Sequence, residues 1–253
     1  MKKGFTLAEV LMTLAIIGVV AAMTIPAMIH ETNKNATIEQ LKKSASTLNQ
    51  AVYNATIMEG TVNSWNWSGK DGVLYIMQKI ISPRLSVGYM CSGDALGTNS
   101  QCTYPIKSIK GEEIADQSFD VKTRVLLNDG SLVAFSKGFV TQSEVDDAQS
   151  DSSGDSNKTG SGCVWKGDPK ALCGIFMVDV NGNKTPNMIG KDVFFFGLYA
   201  SGSVLPYGAP QGEDFVERNC IEGSDGSTCA AKLAKNGWEV CYTGCNFPYP
   251  VKF

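Results

Sequence analysis

The side chains with chemistry to offer fall into three groups. Eight cysteines, Cys91, Cys102, Cys163, Cys173, Cys220, Cys229, Cys241 and Cys245, stand beside a single histidine, His30. That imbalance disfavours zinc sites of mixed Cys/His type and favours disulfides made in an oxidising compartment. Neighbours in sequence pair as Cys91 with Cys102, Cys163 with Cys173, Cys220 with Cys229, and Cys241 with Cys245, although eight cysteines allow many other connectivities. Cys241 and Cys245 also resemble half of a metal knuckle, but a second half with matching spacing is missing. In the second group, Asp179, Asn181, Asn183 and Asp192 place oxygen-bearing side chains around glycines. Calcium takes hard oxygen ligands of this kind. The same residues close turns with their own side chains, and the twelfth position from Asp179 is Gly190, so the segment is not an EF-hand. A turn is the favoured reading and calcium the alternative; no other cofactor is expected. The third group has one member, Glu9, a carboxylate near the start of a long apolar run. At the centre of a bilayer such a group costs about 2.5–3.5 kcal/mol on insertion scales, so it calls for a partner.

Other chemistry has little to stand on. The lone histidine is far in sequence from any nucleophile in the second half of the chain, and no metal-hydrolase or glycine-rich phosphate motif occurs. The paired carboxylates Asp146 and Asp147 sit among Ser, Asp and Gly residues. Trp65 and Trp67 could stack on a sugar, but half-buried aromatics anchoring a loop fit better, since tryptophan packs while its N–H finds a partner. The formal net charge of -3, with scattered basic residues, offers no footprint for a phosphate backbone. Neither catalysis nor nucleic-acid binding is expected.

The elements that position these residues start with a membrane segment. From Val10 to Ile29 no side chain is charged, and at about 1.5 Å per residue this run spans the roughly 30 Å hydrocarbon core. Lys2 and Lys3 should hold its short end in the cytoplasm, which sends everything after His30 to the far side. A cleaved secretory signal would need a small-residue site after a shorter apolar run, and neither Ala21-Ala22-Met23 nor Pro26-Ala27-Met28 fits well. Pro26 removes a backbone hydrogen bond inside the helix, so a kink or local melting is expected there. Beyond the membrane, Ile38, Leu41, Ala45, Leu48, Val52 and Ala55 recur at steps of three and four, with Glu39, Gln40, Lys42, Lys43 and Asn49 on the other faces. This is an amphipathic helix, too short in its stripe for a coiled coil, and Gly60 should end it.

The Gly4-Phe5-Thr6-Leu7-Ala8-Glu9 sequence followed by the apolar run resembles the cleavage and methylation motif of type IV pilins and type II secretion pseudopilins. The resemblance implies that a prepilin peptidase cuts after Gly4 and that Phe5 becomes the N-methylated first residue. It gives Glu9 the task of meeting the positive N-terminus of a neighbouring subunit as copies leave the bilayer for a filament. It also implies an inner-membrane assembly platform, and partners that are the chain itself and other pilin-like subunits. The chain is longer than major subunits of the family usually are, which points to a minor subunit.

The expected fold class is α+β: a long N-terminal helix packed on an antiparallel sheet with a disulfide-tied C-terminal region. Residues 1–4 are the leader, 5–29 the transmembrane helix, 30–59 the stem and 60–253 an extracytoplasmic head. Within the head, Val121 to Leu127 and Leu132 to Phe135 flank the turn Asn128-Asp129-Gly130 as a hairpin. Gly174 to Val180, Asp192 to Tyr199 and Ser203 to Leu205 form a second hairpin-like region. Residues 143–162 read as a flexible loop, with too little apolar surface to offset ordering. Ser227 to Lys235 reads as a short helix stopped at Asn236-Gly237. The rival to a polymerising subunit is a single-pass anchored binding protein or enzyme that only shares this N-terminus.

Overall fold

A computed structural model describes residues 6–67, 72–92, 105–114, 123–136, 171–221 and 224–238. The expected leader junction at Gly4 and Phe5, the 143–162 loop, and Cys102, Cys163, Cys241 and Cys245 lie outside these residues.

One helix, α1, runs from Leu7 to Glu59. It starts where Thr6 caps it and stops at Gly60, whose φ of 85° is a backbone state that glycine adopts without strain. The helix continues through Pro26, so the local melting expected at that residue is not seen. Its outer half buries the predicted stripe: Ile38, Leu41, Leu48, Val52 and Ala55 are all buried, with Ala45 packed at their margin.

The stripe lies against a six-stranded antiparallel sheet. Its strands are β1 (Val87–Ser92), β4 (Thr123–Leu127), β5 (Leu132–Ser136), β6 (Leu172–Asp179), β7 (Val193–Tyr199) and β8 (Val204–Pro206), side by side in that order. A two-stranded ribbon, β2 (Ile106–Lys107) and β3 (Glu113–Ile114), stands apart. The β4–β5 and β6–β7–β8 connections are the two regions the alternation predicted, and Gly130 (φ 89°) turns the first.

Both faces of the central strands are buried, so these strands read as continuous apolar runs. Phe135, Phe176, Val178, Phe194, Phe196 and Leu198 point toward the stem, with Leu41, Leu48 and Val52 in the same cluster. Leu132, Ala134, Ile175, Met177, Val193 and Phe195 form a second cluster with Ile106 of β2 and Ile189. The period of two places alternate residues on opposite faces. Gly174 shows how tightly the first face closes: a Cβ there would sit 2.5 Å from the ring of Phe135, which itself packs at 4.6 Å on Phe176.

Beyond α1 the chain folds over the same core. Trp65 and Trp67 are buried and stacked 6.5 Å apart. Their indole N–H groups donate to the carbonyls of Gly60 (3.0 Å) and Val62 (2.7 Å), which is the loop-anchoring role and not an exposed stacking platform. A short helix α2 (Gly72–Tyr75) leads into a π-helical turn, Ile76–Ile81, whose Ile76, Met77, Ile80 and Ile81 join the core. Two further helices, α3 (Glu213–Arg218) and α4 (Cys229–Lys235), follow β8. The buried Lys232 of α4 reaches Glu217 of α3 at 2.6 Å.

Polar contacts fix how the stem meets the sheet. Asn49 is half-buried and faces β8, contrary to the helical-wheel reading that put it outside. Its amide donates to the carbonyl of Val204 (2.6 Å) and its oxygen accepts from the Val204 N–H (3.0 Å). Edge strands must dispose of unpaired backbone groups, and here one side chain of the stem takes two of them. Lys43 pairs with Asp129 of the β4–β5 turn at 2.8 Å, and Arg84 pairs with Glu59 at 2.9 Å.

Burial pushes the Asp129 carboxyl up, but the Lys43 hydrogen bond, the Ser131 hydroxyl and backbone donors, and the Lys43 charge together hold it below the usual carboxylate range. A folded-state value lower than the unfolded one gives stability that is present above the unfolded value, about 3.9, and lost as pH falls through the folded one. Lys43→Ala should therefore raise the Asp129 pKa, read by NMR titration of its carboxyl carbon. Its effect on stability should be at most about 1 kcal/mol, because the pair is largely in water. No change in that titration would show that the clamp does not form.

Candidate functional site

Among the described residues, nothing in the subunit covers the N-terminal part of α1. Leu7–Pro26 is long and apolar enough to cross a membrane, and none of it is buried. Thirteen large apolar side chains between Leu7 and Ile29 are exposed. Burying each is worth about 1.5–3 kcal/mol, on the order of 20–40 kcal/mol together. An exposed apolar surface of this size is far larger than the patches water-soluble monomers carry, which makes Leu7–Pro26 a candidate membrane anchor.

At the head of the span Thr6 and Glu9 form a reciprocal capping box. The Thr6 hydroxyl oxygen accepts from the Glu9 N–H at 3.3 Å. The Glu9 carboxylate accepts from the Thr6 N–H at 2.8 Å and from the Thr6 hydroxyl at 2.8 Å. Two backbone donors that the helix leaves open are thereby filled, and the negative charge lies at the positive end of the helix dipole. Sequence reasoning singled out Glu9 and missed Thr6. The signal was there, a threonine three residues before a glutamate at the head of an apolar run.

This geometry confers three properties. The carboxylate is folded back on its own helix start, at Thr6. It is exposed, and so open to exchange Thr6 for a cationic partner. It is also the only charged side chain between Leu7 and Ile29, so an ion pair made there would sit in a medium of low dielectric, where attraction is strong and desolvation opposes it.

Residues 1–25 match the family model for the prokaryotic N-terminal methylation motif. The match covers the first tenth of the chain and supports a type IV pilin-like family, and the apolar helix that starts within it is a candidate membrane anchor. No curated protein and no solved structure matches the chain.

Of the oxygen-bearing residues, Asp179, Asn181 and Asp192 come together and Asn183 does not. Asp192 is buried at the end of the β6–β7 loop. Its Oδ2 accepts from the Asn187 N–H (2.9 Å) and the Asn181 amide (3.2 Å), and its Oδ1 from the Met188 N–H (2.6 Å). The Asn181 N–H donates to Asp179 Oδ1 at 3.2 Å, while Asn183 is exposed. Asp192 thus accepts three hydrogen bonds from its own loop, as a self-closed turn does. Burial pushes the Asp192 carboxyl up despite these hydrogen bonds.

Cys220 and Cys229 are joined as their spacing predicted, tying α3 to the start of α4. Cys91 and Cys173, buried in the sheet, each belong to a disulfide as well, with partners other than one another. The disulfide-linked Cys229 lies against the β6–β7 loop, where a Cβ on Gly190 would come within 3.2 Å of its sulfur.

Asp192→Ala strands the N–H groups of Asn187 and Met188 in a buried turn and should cost about 1–3 kcal/mol. Chemical denaturation measures the loss, and hydrogen exchange at Asn187 and Met188 should speed up first. Unchanged exchange at these two amides would mean that the carboxylate does not hold the loop.

Proposed function

We propose that the chain is a structural subunit, and a minor one, of a type II secretion pseudopilus or a type IV pilus-like filament. The exposed, uncharged helix that begins with the Thr6–Glu9 box carries this reading. A span that needs an apolar environment, attached rigidly to a folded head, can pass from lipid into a bundle of like helices without refolding.

In this reading the subunit waits in the inner membrane with its head in the periplasm. Cleavage after Gly4 frees the Phe5 amine, which is methylated. The new positive terminus and Glu9 then supply complementary charges, and pairing Glu9 of one copy with the terminus of another sets register as helices pack. Its role is mechanical and not catalytic, with the assembly platform and other pilin-like subunits as partners. A pseudopilus would push folded proteins toward an outer-membrane channel; a surface pilus would serve adhesion, motility or DNA uptake.

Mass spectrometry of the mature protein should find Phe5 at the N-terminus carrying one added methyl group, and an intact Met1 start would sink the reading. Glu9→Ala should be cleaved and inserted with a folded head, yet drop out of filaments. Normal incorporation of that variant would favour a non-polymerising anchored protein.

Deleting the gene separates the two filament types. Lost protein secretion with intact twitching and transformation indicates a pseudopilus, and the reverse indicates a surface pilus.

A further inference from the structure

We propose that the Cys220–Cys229 disulfide is a redox latch. Closing it builds the surface on which the β2–β3 turn and the β6–β7 loop settle, and these two segments then seal the bond against thiols. The latch is local: the region around the bond follows its redox state, while the stem and the central strands stay folded in either state.

Three stretches far apart in the chain meet at this bond. Cys220, Cys229 and Ile109 form a buried cluster of their own, separate from the two clusters on the faces of the sheet. Ile109 lies in the turn between β2 and β3, which the Gly111 N–H closes by donating to the Ser108 carbonyl at 2.8 Å. A Cβ on Gly190 of the β6–β7 loop would sit 3.2 Å from the Cys229 sulfur and 3.6 Å from the Ile109 side chain. One on Gly226, between the two cysteines, would sit 2.7 Å from Ile189 and 3.4 Å from Ile109. Ribbon and loop are also tied to each other: the Lys107 N–H donates to the Asn187 carbonyl (2.8 Å), and the Ile189 N–H donates to the Lys107 carbonyl (2.9 Å). The ribbon pairs with no strand of the six-stranded sheet, so its turn depends on the disulfide cluster for an apolar wall.

Burial sets the order of events. Cys220 and Cys229 are each 5% exposed, and thiol–disulfide exchange requires the attacking sulfur to reach its target. The bond therefore forms before Ile109 and Gly190 come down on it. The oxidant is a disulfide, carried by a small molecule or by a thiol oxidoreductase. The thiolate of one cysteine attacks it, giving a mixed disulfide and releasing one thiol, and the second cysteine then displaces the remaining sulfur. Two electrons and two protons pass to the oxidant, which leaves as two thiols. In the reduced chain the two sulfurs no longer present one surface, so Ile109 and the loop at Gly190 lose the wall they lie against and open locally.

The test is hydrogen exchange on the full chain in detergent. In the double variant Cys220→Ala/Cys229→Ala, which keeps the other cysteines, the Lys107 and Ile189 amides should exchange at least about tenfold faster, with the amides of β5 and β6 within about twofold of the unaltered chain. Unchanged exchange at Lys107 and Ile189 overturns the latch. So does loss of protection throughout β5 and β6, which would make the bond a staple of the whole fold. The seal is read with the bond intact. In Ile109→Ala, dithiothreitol should open Cys220–Cys229 at least about tenfold faster, followed by alkylation and mass spectrometry, while the disulfides of Cys91 and Cys173 open at their original rates. Equal rates at Cys220–Cys229 would show that the ribbon does not shield the bond, and would overturn the sealing step.

Discussion

Burial of one stripe of α1 under the sheet is the contact from which the rest of the molecule follows. Leu41, Leu48 and Val52 lie in one cluster with Phe135, Phe176, Phe194 and Phe196, and large buried side chains of this kind are each worth a few kcal/mol. Because the helix is continuous from Leu7 to Glu59, fixing its outer half also fixes the direction of the exposed inner half. The head thus acts as a rigid handle on a rod that water does not tolerate. A flexible linker at residue 30 would leave the span just as apolar but would uncouple its position from the head.

Polar groups refine that contact more than they drive it. Asn49 meets Val204 through both ends of its amide, which satisfies two backbone groups of a short edge strand and sets the height of the stem against β8. The Lys43–Asp129 and Arg84–Glu59 pairs bracket the same helix. Surface pairs contribute little energy singly, yet they leave the stem with few unbalanced charges.

Glu9 carries the tension in the design. A carboxylate at the head of an apolar span is costly in lipid, and the Thr6 box lowers that cost by giving it two short-range donors. Those donors are the ones a neighbour's positive terminus would have to displace. An assembly step driven by Glu9 is therefore an exchange of partners, in which the gain is the difference between a cationic and a neutral partner.

The class of the protein, the span, the stem stripe, the strands and the Cys220–Cys229 link were legible in the sequence because each is local: a motif, a period of 3.6 or 2, or a short loop between two cysteines. Even the Thr6 cap is a local signal. What only the tertiary structure decided depends on which elements become neighbours. The wheel put Asn49 outside, and β8 drew it in; the segment around Asp192 read as a turn, but only the folded loop delivers the N–H groups of Asn187 and Met188 to its carboxylate. Strand order, the closeness of Gly174 to Phe135 and the meeting of Ile109 and Gly190 at Cys229 arise in the same way. They rest on contacts between residues far apart in the chain, which no local pattern encodes.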